Sequence, residues 1–285
     1  MNVFNDIQSV RDQVNNWKQA GLSVAFVPTM GNLHAGHLHL VAQAKKKADR
    51  VVVSIFVNPM QFNEADDFSA YPRTFEGDLE LLKEVSADAV FSPSNDELYP
   101  IDQEATTKVI VPGLSDVLEG ECRPGHFTGV ATVVCKLFNI VQPDISCFGE
   151  KDFQQLMLIR RMVSELNIPV QIEAIATQRE ADGLAMSSRN NRLDNQQREK
   201  APQVFQVLTE VADSLKAGNR DYLALEQNAT ATLDGRGFKA EYVAIRRSFD
   251  LTLPSIDDCD LVVLVAARLG DIRLIDNISL SLNSD

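Results

Sequence analysis

Two of the chain's four histidines fall in one short segment, Gly31-Asn-Leu-His34-Ala-Gly36-His37, directly after the apolar run Val24-Ala-Phe-Val27. Three positions apart, the imidazoles of His34 and His37 can share one face at the start of a helix. Backbone N–H groups in a first helical turn lack intrahelical partners and favour anions, while Gly31 and Gly36 leave room for a ligand beside the main chain. Imidazole N–H groups can donate to phosphate oxygens as negative charge shifts during phosphoryl or nucleotidyl transfer, lowering the barrier without a covalent intermediate. The plainer alternative is that His34 caps a turn and His37 fills a polar pocket. Zinc is a weaker reading, since neither an HExxH motif nor paired cysteines supplies further ligands. The segment is also neither a Walker loop nor a GxGxxG turn, so P-loop and hydride-transfer chemistries lose support.

Other segments carry matching chemistry. In Met186-Ser-Ser-Arg-Asn190, which follows Arg179-Glu-Ala-Asp-Gly183, the hydroxyls of Ser187 and Ser188 stand beside the Arg189 guanidinium fork, a set suited to polyphosphate oxygens or else to a solvated charged loop. In Phe148-Gly-Glu-Lys-Asp-Phe-Gln-Gln155, Gly149 permits close backbone approach, Lys151 can neutralise phosphate and Asp152 can accept ribose hydroxyls. Gln155 lies one turn after Lys151, where its amide can reach a second ligand; a surface ion pair between Lys151 and Asp152 remains open. Arg123-Pro-Gly-His126 is a basic, turn-forced element able to orient an anion. Asn58 and Gln61, in Asn58-Pro-Met-Gln-Phe62, offer neutral, directional bonds to hydroxyl and carboxylate groups. Met30 and Phe62 either cover methyl groups of a compact substrate or belong to the core.

Positioning these segments requires a series of alternating elements. A first helix ends near Gly21, and residues 24–28 and 51–57 read as buried strands flanking a helix over 35–48. Asn58-Pro59 ends the second strand. A helix near 74–85, a strand over 89–92, a helix over 129–140, a strand over 145–148, an amphipathic stretch over 151–165 and a strand over 170–176 complete a βα alternation. That pattern predicts a Rossmann-like, doubly wound, mostly parallel sheet in an α/β chain. From about Thr177 the texture changes: a polar loop through Asn195, helices near 196–215 and 219–233, then strands over 238–246, 261–267 and 272–276 predict a smaller α+β domain. The division falls after residue 177, giving domains 1–177 and 178–285.

A net charge of −13 disfavours nucleic acid and acidic membranes, so an anionic substrate needs a local basic pocket. The N-terminus lacks a signal-peptide pattern and no apolar stretch reaches spanning length, which leads to the expectation of a soluble cytoplasmic protein. Cys122, Cys135, Cys147 and Cys259 include no C-x-x-C pair and read as ordinary thiols.

The chain resembles the pantoate-β-alanine ligase (pantothenate synthetase) family over nearly its whole length. The resemblance rests on Val27-Pro-Thr-Met-Gly-Asn-Leu-His-Ala-Gly-His37, Ser54-Ile-Phe-Val-Asn-Pro-Met-Gln-Phe62, Tyr71-Pro-Arg73, Leu118-Glu-Gly120, Arg123-Pro-Gly-His126, Phe148-Gly-Glu-Lys-Asp152 and Asp182-Gly-Leu-Ala-Met-Ser-Ser-Arg-Asn190, in that order. His34 and His37 are similar to the HxGH signature of the wider nucleotidyltransferase superfamily. Met186 to Arg189 stands where relatives carry a lysine-bearing KMSKS loop, with serine and arginine replacing the lysines.

The resemblance implies an ATP-dependent ligase that forms a pantoyl adenylate and releases pyrophosphate, then transfers the acyl group to β-alanine and releases AMP. It implies catalytic roles for His34, His37, Lys151, Ser187, Ser188 and Arg189. ATP contacts would come from Pro28, Thr29, Met30, Gly31, His34, His37, Gly149, Glu150, Lys151, Asp152, Gln178, Met186, Ser187, Ser188 and Arg189. Substrate contacts would come from Met30, Asn58, Gln61, Arg123, His126 and Gln155. Magnesium would be held chiefly through ATP phosphates with no dedicated protein ligands. The resemblance further implies a homodimer and a C-terminal lid domain. Another carboxylate-adenylating ligase or nucleotidyltransferase of the same superfamily is the alternative enzyme, and a noncatalytic nucleotide-binding protein the alternative class.

Overall fold

Val24 to Val27 and Val51 to Val53 are inaccessible to solvent, as continuous apolar runs must be in a parallel sheet covered on both faces. The structure, a computed structural model, describes residues 1–62, 68, 69, 71–101 and 105–282. Its first sheet contains β1 (Asn2–Phe4), β2 (Val24–Thr29), β3 (Arg50–Ile55), β4 (Ala89–Phe91), β5 (Ile145–Gly149) and β6 (Gln171–Ile175) in the order β1-β4-β3-β2-β5-β6, every pair parallel. This is the expected Rossmann-like core. The chain winds outward from β2 in both directions, so the order reverses at β2, and ligands of open α/β sheets bind beyond the carboxyl ends of the strands at such a switch. The loops leaving β2, β3 and β5 there carry Met30 to His37, Asn58 to Gln61 and Glu150.

The helices are α1 (Ile7–Gln19), α2 (Ala35–Ala44), α3 (Phe75–Glu84), α4 (Asn95–Leu98), α5 (Glu119–Cys122), α6 (His126–Val141) and α7 (Phe153–Glu165). Helix α6 starts three residues before its expected first residue because Gly125 adopts φ +82 and lets Arg123 and His126 close a turn. The edge strand β1 gives no sequence signal: three residues are too few for a period, and pairing with β4 determines it.

The chain divides into two compact units, Met1–Glu150 with Leu158–Ala176, and Lys151–Met157 with Thr177–Asp285. The second unit holds an antiparallel sheet β7-β8-β9 of Lys239–Arg247, Asp260–Leu269 and Ile272–Ser281. Packed on it are α9 (Gln203–Lys216) and α10 (Tyr222–Gly235), preceded by α8 (Asn195–Lys200). Val204, Val207, Leu208, Val211 and Leu215 recur at helical spacing and are buried together with Val263, Val265 and Ala267 of β8. The single helix expected over 196–215 is two, α8 and α9. Pro202 between them has no N–H to donate back into α8, and Asp194 caps α8 by accepting from Gln197 N.

Candidate active site

Helix α2 begins at a turn made from unusual backbone. Gly31 and Asn32 have φ +79 and +51, and a Cβ on Gly31 would lie 3.0 Å from Asp78 Oδ2, so this position needs glycine for both conformation and space. Asp78, 2% exposed on α3, accepts from Asn32 N at 2.9 Å, from Leu33 N at 2.8 Å and from the Thr74 hydroxyl. Thr29, at the end of β2 after Pro28, donates its hydroxyl to Ser54 O and accepts from Gly31 N. The strand end and a buried carboxylate thus fix the turn from both sides.

His34 is the N-cap of α2. Its Nδ1 accepts from Gly36 N at 3.1 Å, and His37 Nδ1 accepts from His34 N at 3.4 Å, a reciprocal capping box. The two rings lie 4.2 Å apart, centroid to centroid. An imidazole accepting at Nδ1 carries its proton on Nε2, so each ring is held in the tautomer that donates from Nε2. The capping reading and the phosphate-donor reading are therefore compatible: the backbone bonds orient the donors.

A second cluster surrounds Gln61, in the short 3-10 turn Pro59–Gln61 that leaves β3. Gln61 Nε2 lies 2.8 Å from Met30 Sδ, and its Oε1 accepts from Asn58 Nδ2 at 3.2 Å. Asn58, 1% exposed, also donates to Gly129 O and accepts from the Tyr99 hydroxyl at 2.9 Å. Burial pushes the Tyr99 phenol far above its ordinary pKa, so it remains a donor. The Gln61 main-chain oxygen meets Arg123 Nη2 at 3.2 Å and His126 Nδ1 at 2.9 Å, and Arg123 also reaches Glu119 and His126 Nε2. Met30, Asn58, Gln61, Arg123 and His126 are thus one connected network. Phe62 packs edge-on to Tyr71. Gly149 ends β5, and Glu150 opens the 3-10 turn Glu150–Asp152.

In the second unit, Lys151, Ser187 and Arg189 line one cavity together with Asn190, Arg273, Asp276 and apolar side chains. Asp276 is engaged by Arg179 and Arg273 by Glu241. Lys151 and Arg189 form no ion pair among the described residues. Ser187 accepts from Arg189 N and starts the 3-10 turn Ser188–Arg192. Asn190 Oδ1 is buried without a hydrogen-bond partner among the described residues. Asp152, Gln155, Gln178, Met186 and Ser188 are not among the residues lining this cavity. Gln178 accepts from Met186 N, and Asp152 and Gln155 sit on the entry to and the first turn of α7.

Sequence reasoning passed over Asp78, Tyr99, Gly129, Asp276 and Asn277. Asp78 had a signal: it stands with Phe75 and Leu82 on the face of α3 that helical spacing assigns to the core. Among the described residues no group of three or more His, Cys, Asp or Glu side chains could hold a metal ion, and no helix is long and apolar enough to cross a membrane.

The family model for pantoate-beta-alanine ligase matches residues 2–279. A pantothenate synthetase from Methylococcus capsulatus is 56% identical over 268 residues, 94% of this chain and 94% of that one. Another from Nitrosococcus oceani is 52% identical over 284 residues, 100% of this chain and 99% of that one. The solved pantothenate synthetase from Thermus thermophilus matches with a TM-score of 0.88 at 40% identity, covering 98% of this chain and 99% of its own. A pantoate-beta-alanine ligase from Francisella tularensis, solved with beta-gamma ATP and beta-alanine, matches with a TM-score of 0.82 at 34% identity, covering 98% and 97%.

Proposed function

The chain belongs to the pantoate-β-alanine ligase family and condenses pantoate with β-alanine at the cost of ATP through a pantoyl adenylate, and from that premise we propose which of its residues perform each part. A pantoate carboxylate oxygen attacks the α-phosphorus of ATP, forming the P–O bond of the adenylate as pyrophosphate leaves. The β-alanine amine then attacks the acyl carbon, forming the amide as AMP leaves. Both steps need positioning and charge stabilisation rather than a protein nucleophile.

His34 and His37 donate from Nε2 to the α-phosphoryl oxygens, where charge accumulates in the first step. Lys151, Ser187, Ser188 and Arg189 take the remaining phosphate oxygens, with Pro28, Thr29, Gly31, Glu150, Gln178 and Met186 shaping the nucleotide contacts and Gly149 and Asp152 serving the ribose end. Gln61 and Gln155 hold pantoate's oxygens, with Met30 against its methyl groups, buried Asn58 bracing the Gln61 amide and Arg123 and His126 fixing the Gln61 main chain. A family ligase acting on ATP implies magnesium. The cations lining the cavity suit phosphate and not a metal, so the ion fits as one carried by ATP, where it would neutralise phosphate charge. The homodimer and the cytoplasmic location are part of the same proposal.

The observation that carries the assignment is the pair of cations, Lys151 and Arg189, that line one cavity without an ion pair among the described residues. Charge-assisted hydrogen bonds contribute about 1.5–3 kcal/mol each, so Lys151→Ala and Arg189→Ala should each weaken a nonreactive ATP analogue about 10- to 100-fold by calorimetry. Pantoate affinity should be unaffected. An unchanged affinity for the analogue would remove these residues from the phosphate site.

A further inference from the structure

Side chains outside the phosphate-contact set tie two parts of that set together within the second unit. Asp276 and Asn277 are consecutive in β9 and only 5% and 6% exposed, although successive strand residues point to opposite faces. Two buried polar side chains in a row each need a partner. Asn277 Nδ2 donates to the main-chain oxygen of Lys151 at 2.9 Å. Asp276 receives the Arg179 guanidinium in a fork, with Nη1 to Oδ2 at 2.6 Å and Nη2 to Oδ1 at 2.9 Å.

Arg179 then continues the chain of contacts. Its Nη1 donates to Gly183 O at 3.1 Å, its guanidinium lies 3.8 Å over the Phe205 ring, and its backbone pairs with Ala185 across a small hairpin. Gly183 turns that hairpin at φ +92, where a Cβ would meet Phe205 at 2.7 Å. The hairpin closes with Met186 N donating to Gln178 O at 2.9 Å, and the next residue is Ser187. One residue of β9 therefore holds the main chain at Lys151, and its neighbour holds the base of the Ser187-Ser188-Arg189 loop. The carboxylate fork and the aromatic face already engage Arg179, which places it behind the loop and not among the phosphate ligands.

We propose that Asp276 and Asn277, with Arg179 as intermediary, are positioning residues for ATP: one rigid anchor in β9 that fixes the spacing of Lys151 and the Ser-Ser-Arg loop. The inference rests on the assignment of Lys151 and that loop to the phosphates. A residue acting through Lys151 must lose its effect once the Lys151 side chain is gone, whereas general destabilisation would persist.

The test measures affinity for a nonreactive ATP analogue by calorimetry in the full-length enzyme carrying Asn277→Ala, Lys151→Ala or both. Loss of one positioning hydrogen bond predicts a weakening of about 3- to 10-fold for Asn277→Ala alone, and no further weakening when it is added to Lys151→Ala. Pantoate affinity should not move. Should Asn277→Ala fail to fold, the charge-preserving Arg179→Lys is measured against Ser187→Ala in the same design. If Lys151→Ala weakens the analogue but Asn277→Ala does not, or if the two penalties add, the anchor is wrong. If Lys151→Ala itself has no effect, the phosphate assignment fails first.

Discussion

Gly129 offers a sharp test of how the proposed pantoate side is built, because two effects of replacing it by alanine oppose one another. It lies in α6 against the main chain of the Pro59–Gln61 turn, and a Cβ there would stand 2.3 Å from Met60 O, 2.5 Å from Met60 C and 2.7 Å from Gln61 N. All three are backbone atoms, so no side chain can swing aside. The Gly129 carbonyl is also held by Asn58 Nδ2 at 3.1 Å, which ties the helix to the same turn. Restoring ordinary contact from 2.3 Å requires the turn and helix to separate by about 1 Å.

Alanine favours a helix interior over glycine by about 1 kcal/mol, and overpacking costs about 1–3 kcal/mol. The net change in stability should therefore be a loss of at most about 2 kcal/mol, leaving a folded enzyme. The consequence for Gln61 is larger, since a 1 Å misplacement of a positioning group can cost about 10²-fold in rate. Steady-state pyrophosphate release with ATP saturating and pantoate varied should give a kcat/KM for pantoate lowered by about that factor, with ATP-analogue affinity preserved. A Gly129→Ala enzyme that melts higher than the parent and keeps its kcat/KM for pantoate would refute this account of the turn.

Two further outcomes follow from buried groups. Asp78→Asn replaces a carboxylate that accepts from Asn32 N and Leu33 N, and should cost about 1.5–3 kcal/mol in urea unfolding while slowing adenylate formation; an unchanged unfolding midpoint would contradict the role given to Asp78. Burial, assisted by the negative charge of Glu173, pushes the Cys147 thiol up to about 11. Because the folded-state value is raised, the stabilisation is complete below the unfolded thiol value of about 8.5 and is lost as pH climbs through the folded value. Thiol labelling near neutral pH should modify exposed Cys122 and spare Cys147 until unfolding, and labelling of Cys147 in the folded protein would contradict its burial.

Strongly patterned parts of the fold were legible in the sequence, and parts set by distant contacts were not. Val24 to Val27 and Val51 to Val53 read as buried parallel strands and are so, and they place the His34 and Asn58 loops at the switch beside β2. The three residues of β1 carry no period of their own, and their pairing is with β4, far along the chain at Ala89 to Phe91. Pro202, which cannot continue the hydrogen-bond ladder of α8, is a local signal for the break between α8 and α9. At the site, residue types indicated what His34, Gln61 and Lys151 can do. A cap at His34 was legible as an alternative reading, but not that Tyr99 donates to Asn58 or that Asn277 holds Lys151 from more than a hundred residues away. Those bonds depend on which strand ends lie side by side, information that spacing along the chain does not contain.

The central proposal is that His34, His37 and Lys151 each serve adenylate formation. Its most direct test is exchange of labelled pyrophosphate into ATP in the presence of pantoate and magnesium but without β-alanine. The parent enzyme should catalyse this exchange only when pantoate is present, and His37→Ala and Lys151→Ala should each suppress it. Exchange that proceeds without pantoate, or that survives either substitution at the parent rate, would contradict the claim.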